Sequence, residues 1–535
     1  MLRRRPFLLA SAGAALALPR FALGQGQRPS VTVAVQKLAN SNTLEPLRES
    51  SNVGTRLMAS YCETLVTQDW LGDLSLQPGL ATAWRRVDDR TLEVTLRPGV
   101  RFHDGREMTA EDVAFSFGPE RMGRDAASAA NLYGSVPTSR QGKAAPAEVA
   151  ATARRAFGGL ARVEIVNHQT LRFIHEGPTP AIEGRFAQLS GMIVSRAAFE
   201  AAPSWLDWAR KPVGTGPYAI ESFRPDQSLT LVAHDNYWGG RPPLARIRFV
   251  EVPEVSSRLN MLASGEADFA CDVPPDLISQ VEGGGRHEVV GGLIANLRLS
   301  VFDKTNPVLA DARVRRAMTH SVDRRSIVEA LWGGRTVIPR GEQFEFYGEM
   351  FQSDWEVPRF DPAEAKRLLK EANYKGEPIP YRLLNNYYTA QVPTAQILVE
   401  GWRQVGLNVQ IEIRENFSQV LNKDGVRGIW DWSNSAGFND PVASMPRAHG
   451  PEGQQWQVGA WRNEEFGRLC ALLDGSVNTE ERRRAFRRML EIAEREDPAY
   501  TVLHQTVNFT AKRKGLPWTS GQSFGMDFSA RNWRA

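Results

Sequence analysis

The densest group of side chains able to hold a small molecule lies in one stretch, Trp430-Asp431-Trp432-Ser433-Asn434-Ser435-Ala436-Gly437-Phe438-Asn439-Asp440-Pro441. Trp430, Trp432 and Phe438 offer flat apolar surface. Ser433, Asn434 and Asn439 offer directional hydrogen bonds, and Asp431 and Asp440 add carboxylates, a mixture that suits a small-molecule cleft. Alternation puts both indoles on one strand face, so the same pattern also fits core packing. A second group, Asn385-Asn386-Tyr387-Tyr388, follows a strand-like run at Pro380–Leu384, and strand ends carry ligands in α/β sheets. Near the N-terminus, Asn40-Ser41-Asn42 follows another strand, and Arg56 lies in the next helix. Its guanidinium suits either a ligand carboxylate, held bidentately, or a structural ion pair. Trp461 is a further contact candidate. The residues expected at a ligand are therefore Asn42, Arg56, Asn386, Tyr387, Tyr388, Trp430, Trp432, Asn434, Phe438, Asp440 and Trp461.

Bond-making chemistry has no comparable signal. The sequence contains no HExxH, no Walker loop and no GxSxG elbow. His175-Glu176 and His287-Glu288 each lack the second histidine of a zinc site, and the histidines show no ligand spacing. Gly214-Thr215-Gly216 resembles part of a dinucleotide loop, but Pro217 follows and a strand comes next. Cys62, Cys271 and Cys470 form no CxxC pair, allow at most one bridge, and read as buried thiols. No catalytic residue, metal site or cofactor is expected.

The elements that must position these side chains mix strands and helices along the whole chain. Val31, Val33 and Val35 alternate as a strand, and Val53–Leu65 has helical spacing. Leu92–Leu96 is a short strand, and Thr109 with Asp112 caps the helix that follows. Gly123–Arg155 reads as an insertion of loops and one helix. Val163–Ile165 and Thr170–Ile174 pair around Asn167-His168, and Tyr218–Phe223, Ser228–His234 and Ile247–Val252 are further strands. Asp311–Leu331, Pro362–Ala372, Thr394–Val405 and Glu480–Glu496 are amphipathic helix patterns, with Asn408–Ile413 as a strand between the last two. Gly214, Gly216 and Pro217 read as a turn needing special backbone angles. An α/β protein with more than one lobe follows.

The N-terminus reads as an export signal. Arg3, Arg4 and Arg5 precede an uncharged stretch from Phe7 to Leu18, too short to cross a bilayer, and Ala22-Leu23-Gly24 supplies a cleavage site. Arg4-Arg5-Pro6-Phe7-Leu8 resembles a twin-arginine motif. Cleavage after Gly24 removes Arg3, Arg4, Arg5 and Arg20 and no acid, which takes the formal charge of +4 to about zero. The basic character belongs to the signal, so a nucleic-acid partner gains no support. At 535 residues the chain exceeds a single core.

Several blocks resemble one family in order along the chain: the extracytoplasmic solute-binding proteins of dipeptide, oligopeptide and nickel ABC importers, family 5. They are Leu76–Trp84, Leu96–Gly105, Thr109–Phe117, Pro212–Tyr218, Asn236–Gly240, Leu262–Asp268, Asp311–Met318 with Asp323 and Arg324, and Asp361–Leu369. The resemblance implies a two-lobed periplasmic-binding-protein clamp of type II with an extra domain. The implied parts are a signal at 1–24, lobe I at 25–65, 211–290 and 500–535, the inserted domain at 66–210, and lobe II at 291–499. It implies a periplasmic, monomeric protein that captures a peptide-like or other small solute by hinge closure and delivers it to membrane permease subunits. Most matched residues, Arg313 and Arg315 among them, are expected to be structural. Peptide-binding members hold the peptide amine with a carboxylate four residues before a proline. Here that position, four before Pro441, is Gly437. A metal chelate or an opine is thus an alternative to a peptide, and a secreted hydrolase using the same cleft is the alternative outside transport.

Overall fold

A computed structural model describes residues 28–123 and 144–533. The export reading at Arg3–Gly24 and most of the first part of the Gly123–Arg155 insertion lie outside the described residues.

The first strand, β1 (Ser30–Val35), sits inside a sheet, with Val33, Ala34 and Val35 fully buried. Its apolar run matches a strand covered on both faces. The next two, β2 (Val66–Gln68) and β3 (Leu76–Pro78), form a small antiparallel pair. Four more, β4 (Ala81–Arg86), β5 (Thr91–Leu96), β6 (Leu160–Asn167) and β7 (Thr170–His175), make a separate sheet in the order β4-β5-β7-β6. Helix Ala110–Ser116 packs on this sheet, and Thr109 and Asp112 cap it reciprocally as expected.

The remaining strands are β8 (Tyr218–Arg224), β9 (Ser228–Ala233), β10 (Arg246–Glu251), β11 (Phe269–Cys271), β12 (His287–Phe302), β13 (Ile379–Leu384), β14 (Val409–Arg414), β15 (Ile429–Ser435) and β16 (Tyr500–Arg513). With β1 they form one run in the order β14-β13-β15-β12-β16-β11-β1-β10-β9-β8. At one end lie β1 and β8–β11, at the other β13–β15. The long strands β12 and β16 pair antiparallel between them and belong to both ends. This is a two-lobed α/β architecture joined by two crossing strands. Separate buried clusters fill the small sheet, the first lobe around β1, and two sides of the second lobe.

Three local expectations are corrected. The helix predicted over Val53–Leu65 ends at Met58. Beyond it the backbone of Ser60, Tyr61 and Glu63 accepts hydrogen bonds from Tyr218, Gly216 and Ile193 instead. Gly214 and Gly216 have ordinary φ; they are needed because a Cβ would lie 2.4 Å from the Tyr61 carbonyl oxygen and 2.6 Å from its carbon. The Asp311–Leu331 pattern is two helices, Ala312–His320 and Arg324–Trp332, because Asp323 caps the second one. Arg313 pairs with Asp311 and Arg315 with Asp497, both structural contacts. The three cysteines are buried and free.

Candidate functional site

The site begins with an irregularity in the crossing strands. Leu293 of β12 pairs with Val507, and Leu297 pairs with Gln505, so four steps on one strand match two on the other. Ile294, Ala295 and Asn296 stand opposite Thr506 alone, so two residues are extra and β12 bulges from its ladder with β16. Their backbone groups find other partners: the Ala295 N–H donates to Gln522, the Ala295 carbonyl accepts from Ala436, and the Ile294 carbonyl accepts from the Gln505 side chain. The bulge therefore gathers the C-terminal arm and the end of β15 at one point between the lobes.

A cavity of about 760 Å³ opens there. The first lobe contributes Glu49, Thr55, Glu63, Tyr237 and Trp238, and the body formed by residues 66–210 contributes Trp70, Gln188 and Leu189. The arm at 519–532 covers one side, held by the Gln522 N–H to Trp70 and the Gln522 side chain to Gly72. The second lobe contributes Ser435, Ala436, Gly437 and Arg447.

The lobes touch around this cavity. Asn52 Nδ2 donates to Ser433 Oγ at 3.0 Å, Asn386 Nδ2 to Glu254 Oε1 at 2.8 Å, and Asn40 Nδ2 to Tyr387 Oη at 3.3 Å. Arg447 Nη2 donates to Ser50 Oγ at 3.1 Å, and Arg185 pairs with Asp474. Phe438 packs on Gly184 so closely that a Cβ there would lie 2.4 Å from the ring. The arrangement is a closed clamp.

Charges in the cavity are unevenly matched. Glu49 accepts from the Asn40 and Ser41 N–H groups and the Ser51 hydroxyl. Glu63 accepts from Tyr237 Oη at 2.7 Å, Thr215 Oγ1 at 2.8 Å and Trp238 Nε1 at 2.9 Å, yet burial still pushes it up to about 7. Asp527 meets Arg531 at 3.3 Å. Arg447 makes no ion pair among the described residues. No group of three or more His, Cys, Asp or Glu side chains is placed to hold a metal ion among the described residues.

None of the residues expected at a ligand lines this cavity. Asn42 sits exposed in a turn at φ 55°. Arg56 is buried and paired with Asp272 Oδ1 at 2.6 Å and Gln36 Oε1 at 2.7 Å, so its charge is matched within its own lobe. With Tyr387 and Tyr388 it lines a separate void of about 30 Å³. Tyr388 lies under the Arg298 guanidinium at 3.5 Å. Asn386 bridges to Glu254. Trp430 and Trp461 are in the second-lobe core, the latter donating to the Asp497 carbonyl. Trp432 Nε1 donates to Asn434 Oδ1, and Asn434 donates to Glu342. Phe438 is buried at the lobe contact, and Asp440 holds Arg482 through both oxygens at 2.9 and 2.8 Å. The stretch from Trp430 to Pro441 does reach the cavity, through its smallest residues. Arg447 and the C-terminal arm carried no periodic signal.

The sequence profile of the bacterial extracellular solute-binding proteins, family 5 Middle, matches residues 75–456. The heme-binding protein A of Haemophilus influenzae is 25% identical over 481 residues, covering 85% of this chain and 84% of its own. The dipeptide-binding protein of Escherichia coli is 25% identical over 475 residues, covering 82% of each chain. The crystal structure of a dipeptide-binding protein from Pseudoalteromonas sp. SM9913 in complex with Met-Leu superimposes with a TM-score of 0.80. It is 19% identical and covers 92% of this chain and 98% of its own. That likeness establishes the shared fold.

Proposed function

The chain belongs to the family 5 bacterial extracellular solute-binding proteins, and from that premise we propose that it captures a small solute in the cavity between its lobes and presents the closed form to the permease of an ABC importer. The observation that carries the reading is the cavity itself: about 760 Å³, lined from both lobes and from the bulge in the crossing strands. A ligand there touches both lobes only when they are closed, which is the differential contact that shifts a hinge equilibrium. The bulged residues are the natural bending point, because their ladder is already interrupted.

In this reading lobe I comprises 25–65, 211–290 and 500–535, the extra domain 66–210, and lobe II 291–499. Residues 1–24 are an export signal of twin-arginine type, and the mature protein works as a periplasmic monomer without catalysing a reaction. Gly437 lines the cavity where the resemblance implies an amine-binding carboxylate, so a free peptide amine has no partner from that position. Leaving an ammonium unpaired in a buried site costs several kcal/mol, which favours a solute other than an unmodified peptide.

The test is native mass spectrometry of gently purified protein to identify the retained solute, followed by its removal and return. Return should raise the melting temperature and lower the radius of gyration in solution scattering. A solute that binds in the cavity and changes neither would refute hinge capture.

A further inference from the structure

The fully buried guanidinium groups among the described residues follow one pattern. Arg56 pairs with Asp272, Arg121 with Glu45, Arg298 with Asp431, Arg427 with Asp303 and Arg482 with Asp440. Where no carboxylate is used, backbone carbonyls take over: Arg258 donates to Val252, Pro253 and Cys271, and Arg324 to Pro358 and Val502. Half-buried Arg155 departs from it, donating to the Thr152 hydroxyl at 2.9 Å, and so does half-buried Arg447. Arg447 lines the cavity, and its hydrogen bond is to one neutral hydroxyl, Ser50 Oγ at 3.1 Å.

The surroundings increase the mismatch. Burial alone pulls the Arg447 proton affinity down, with no carboxylate opposing it. Arg155, on helix Ala147–Phe157, is close enough for Arg447 to help lower its own value to about 10, after burial. The acids that line the cavity face other donors: Glu49, Glu63, Asp69 and Asp527 accept from Ser51, Tyr237, the Gly72 N–H and Arg531 respectively. Closure thus brings a second-lobe cation against a first-lobe hydroxyl and near a like charge, with no carboxylate paired to Arg447 among the described residues.

We propose that Arg447 is the anchor for an anionic group of the solute, and that the solute is a carboxylate held at the seam between Arg447 and Ser50. This rests on the cavity being the solute site. A carboxylate there satisfies the guanidinium by charge-assisted hydrogen bonds, accepts from the Ser50 hydroxyl, and screens Arg447 from Arg155. Because Ser50 and Arg447 come from different lobes, the contact exists only in the closed state. With Gly437 also lining the cavity, the chemical class is a small carboxylate without a free α-ammonium: an N-blocked amino acid or dipeptide, or a comparable organic acid.

The experiment uses three sets of probes at pH 7 on the mature protein: N-acetyl dipeptides with a free carboxylate, dipeptide amides with a free amine, and N-acetyl dipeptide amides without charge. Melting shifts and calorimetric affinities are compared for the wild type, Arg447→Gln and Arg447→Lys. The free-carboxylate set should bind the wild type best, weaken at least tenfold in Arg447→Gln, and recover in part in Arg447→Lys. The melting temperature without ligand should change little, which separates lost binding from lost fold. Equal binding of the carboxylates by Arg447→Gln, or a preference for the free amines, would overturn the anchor while leaving solute capture standing. Silence of all three sets would overturn the solute class, and capture itself is judged separately by the retained solute and its effect on compactness.

Discussion

Gly184→Ala should hold the clamp open. Gly184 lies in helix Ile182–Arg185, and Phe438 comes from the opposite lobe. A Cβ at 184 would stand 2.4 Å from Phe438 Cδ2, 2.7 Å from Cγ and 2.9 Å from Cβ, far inside the roughly 3.5–4.0 Å of carbon contact. Phe438 is 1% exposed and Gly184 is itself buried, so neither side can step aside easily. Overpacking of this kind costs about 1–3 kcal/mol. In the open form the contact is absent; the φ at Gly184 is ordinary, so any helix-propensity gain from alanine applies to both forms and leaves the hinge equilibrium unchanged. The overpacking alone shifts the hinge, by about 1–3 kcal/mol, which weakens apparent affinity by about fivefold to 150-fold. Calorimetry with the retained solute measures this, and solution scattering should find the variant still extended at concentrations that compact the wild type. Phe438→Ala in the same chain removes the Cδ2 and Cγ contacts and should restore part of the affinity relative to Gly184→Ala alone, the coupling a double-mutant cycle measures. Wild-type affinity and wild-type compaction in Gly184→Ala would refute the claim that closure drives Phe438 onto this helix.

Gly437→Asp should gain affinity for free-amine dipeptides such as Met-Leu by about tenfold or more, the range of a hydrogen bond to a charged group. The new Cβ meets only the flexible Gln188 side chain, at 3.2 Å, and no gain by calorimetry would show that the position is not amine-facing. Burial, with the Glu494 charge, raises Glu342 to about 8 from an ordinary 4.5. Between those values the folded state keeps a proton the unfolded chain has released, so stability falls as pH rises, by at most about 1.4 kcal/mol per pH unit. Glu342→Gln keeps an acceptor for Asn434 and should flatten the melting curve between pH 5 and 8; a parallel profile would contradict the assignment. Gly216→Ala drives a Cβ to 2.6 Å from the Tyr61 carbonyl carbon, which is backbone and cannot rotate away. It should lower stability in denaturant titration by about 1–3 kcal/mol.

The fold was largely legible because strand and helix periods are local. β1 and the strands β8–β10 and β13–β14 follow alternation or apolar runs that the sequence displays, and the Thr109–Asp112 cap is a four-residue pattern. The boundaries that failed were set by partners far along the chain. The helix after Ser51 stops where Gly216 and Tyr218 claim its backbone carbonyls, and no local pattern contains that pairing. The site was less legible for the same reason. Large aromatic and charged residues drew the reading, yet Trp430, Trp461, Arg56 and Asp440 are consumed by core packing and ion pairs within one lobe. Residue type alone thus determined that the protein is a mixed α/β chain bearing family blocks, with no catalytic motif and with Gly437 in place of a carboxylate. Tertiary structure decided which groups are left over. Whether an arginine is a ligand contact depends on whether another carboxylate reaches it first, and Asp272 reaches Arg56 across more than two hundred residues of sequence while no such group reaches Arg447 among the described residues.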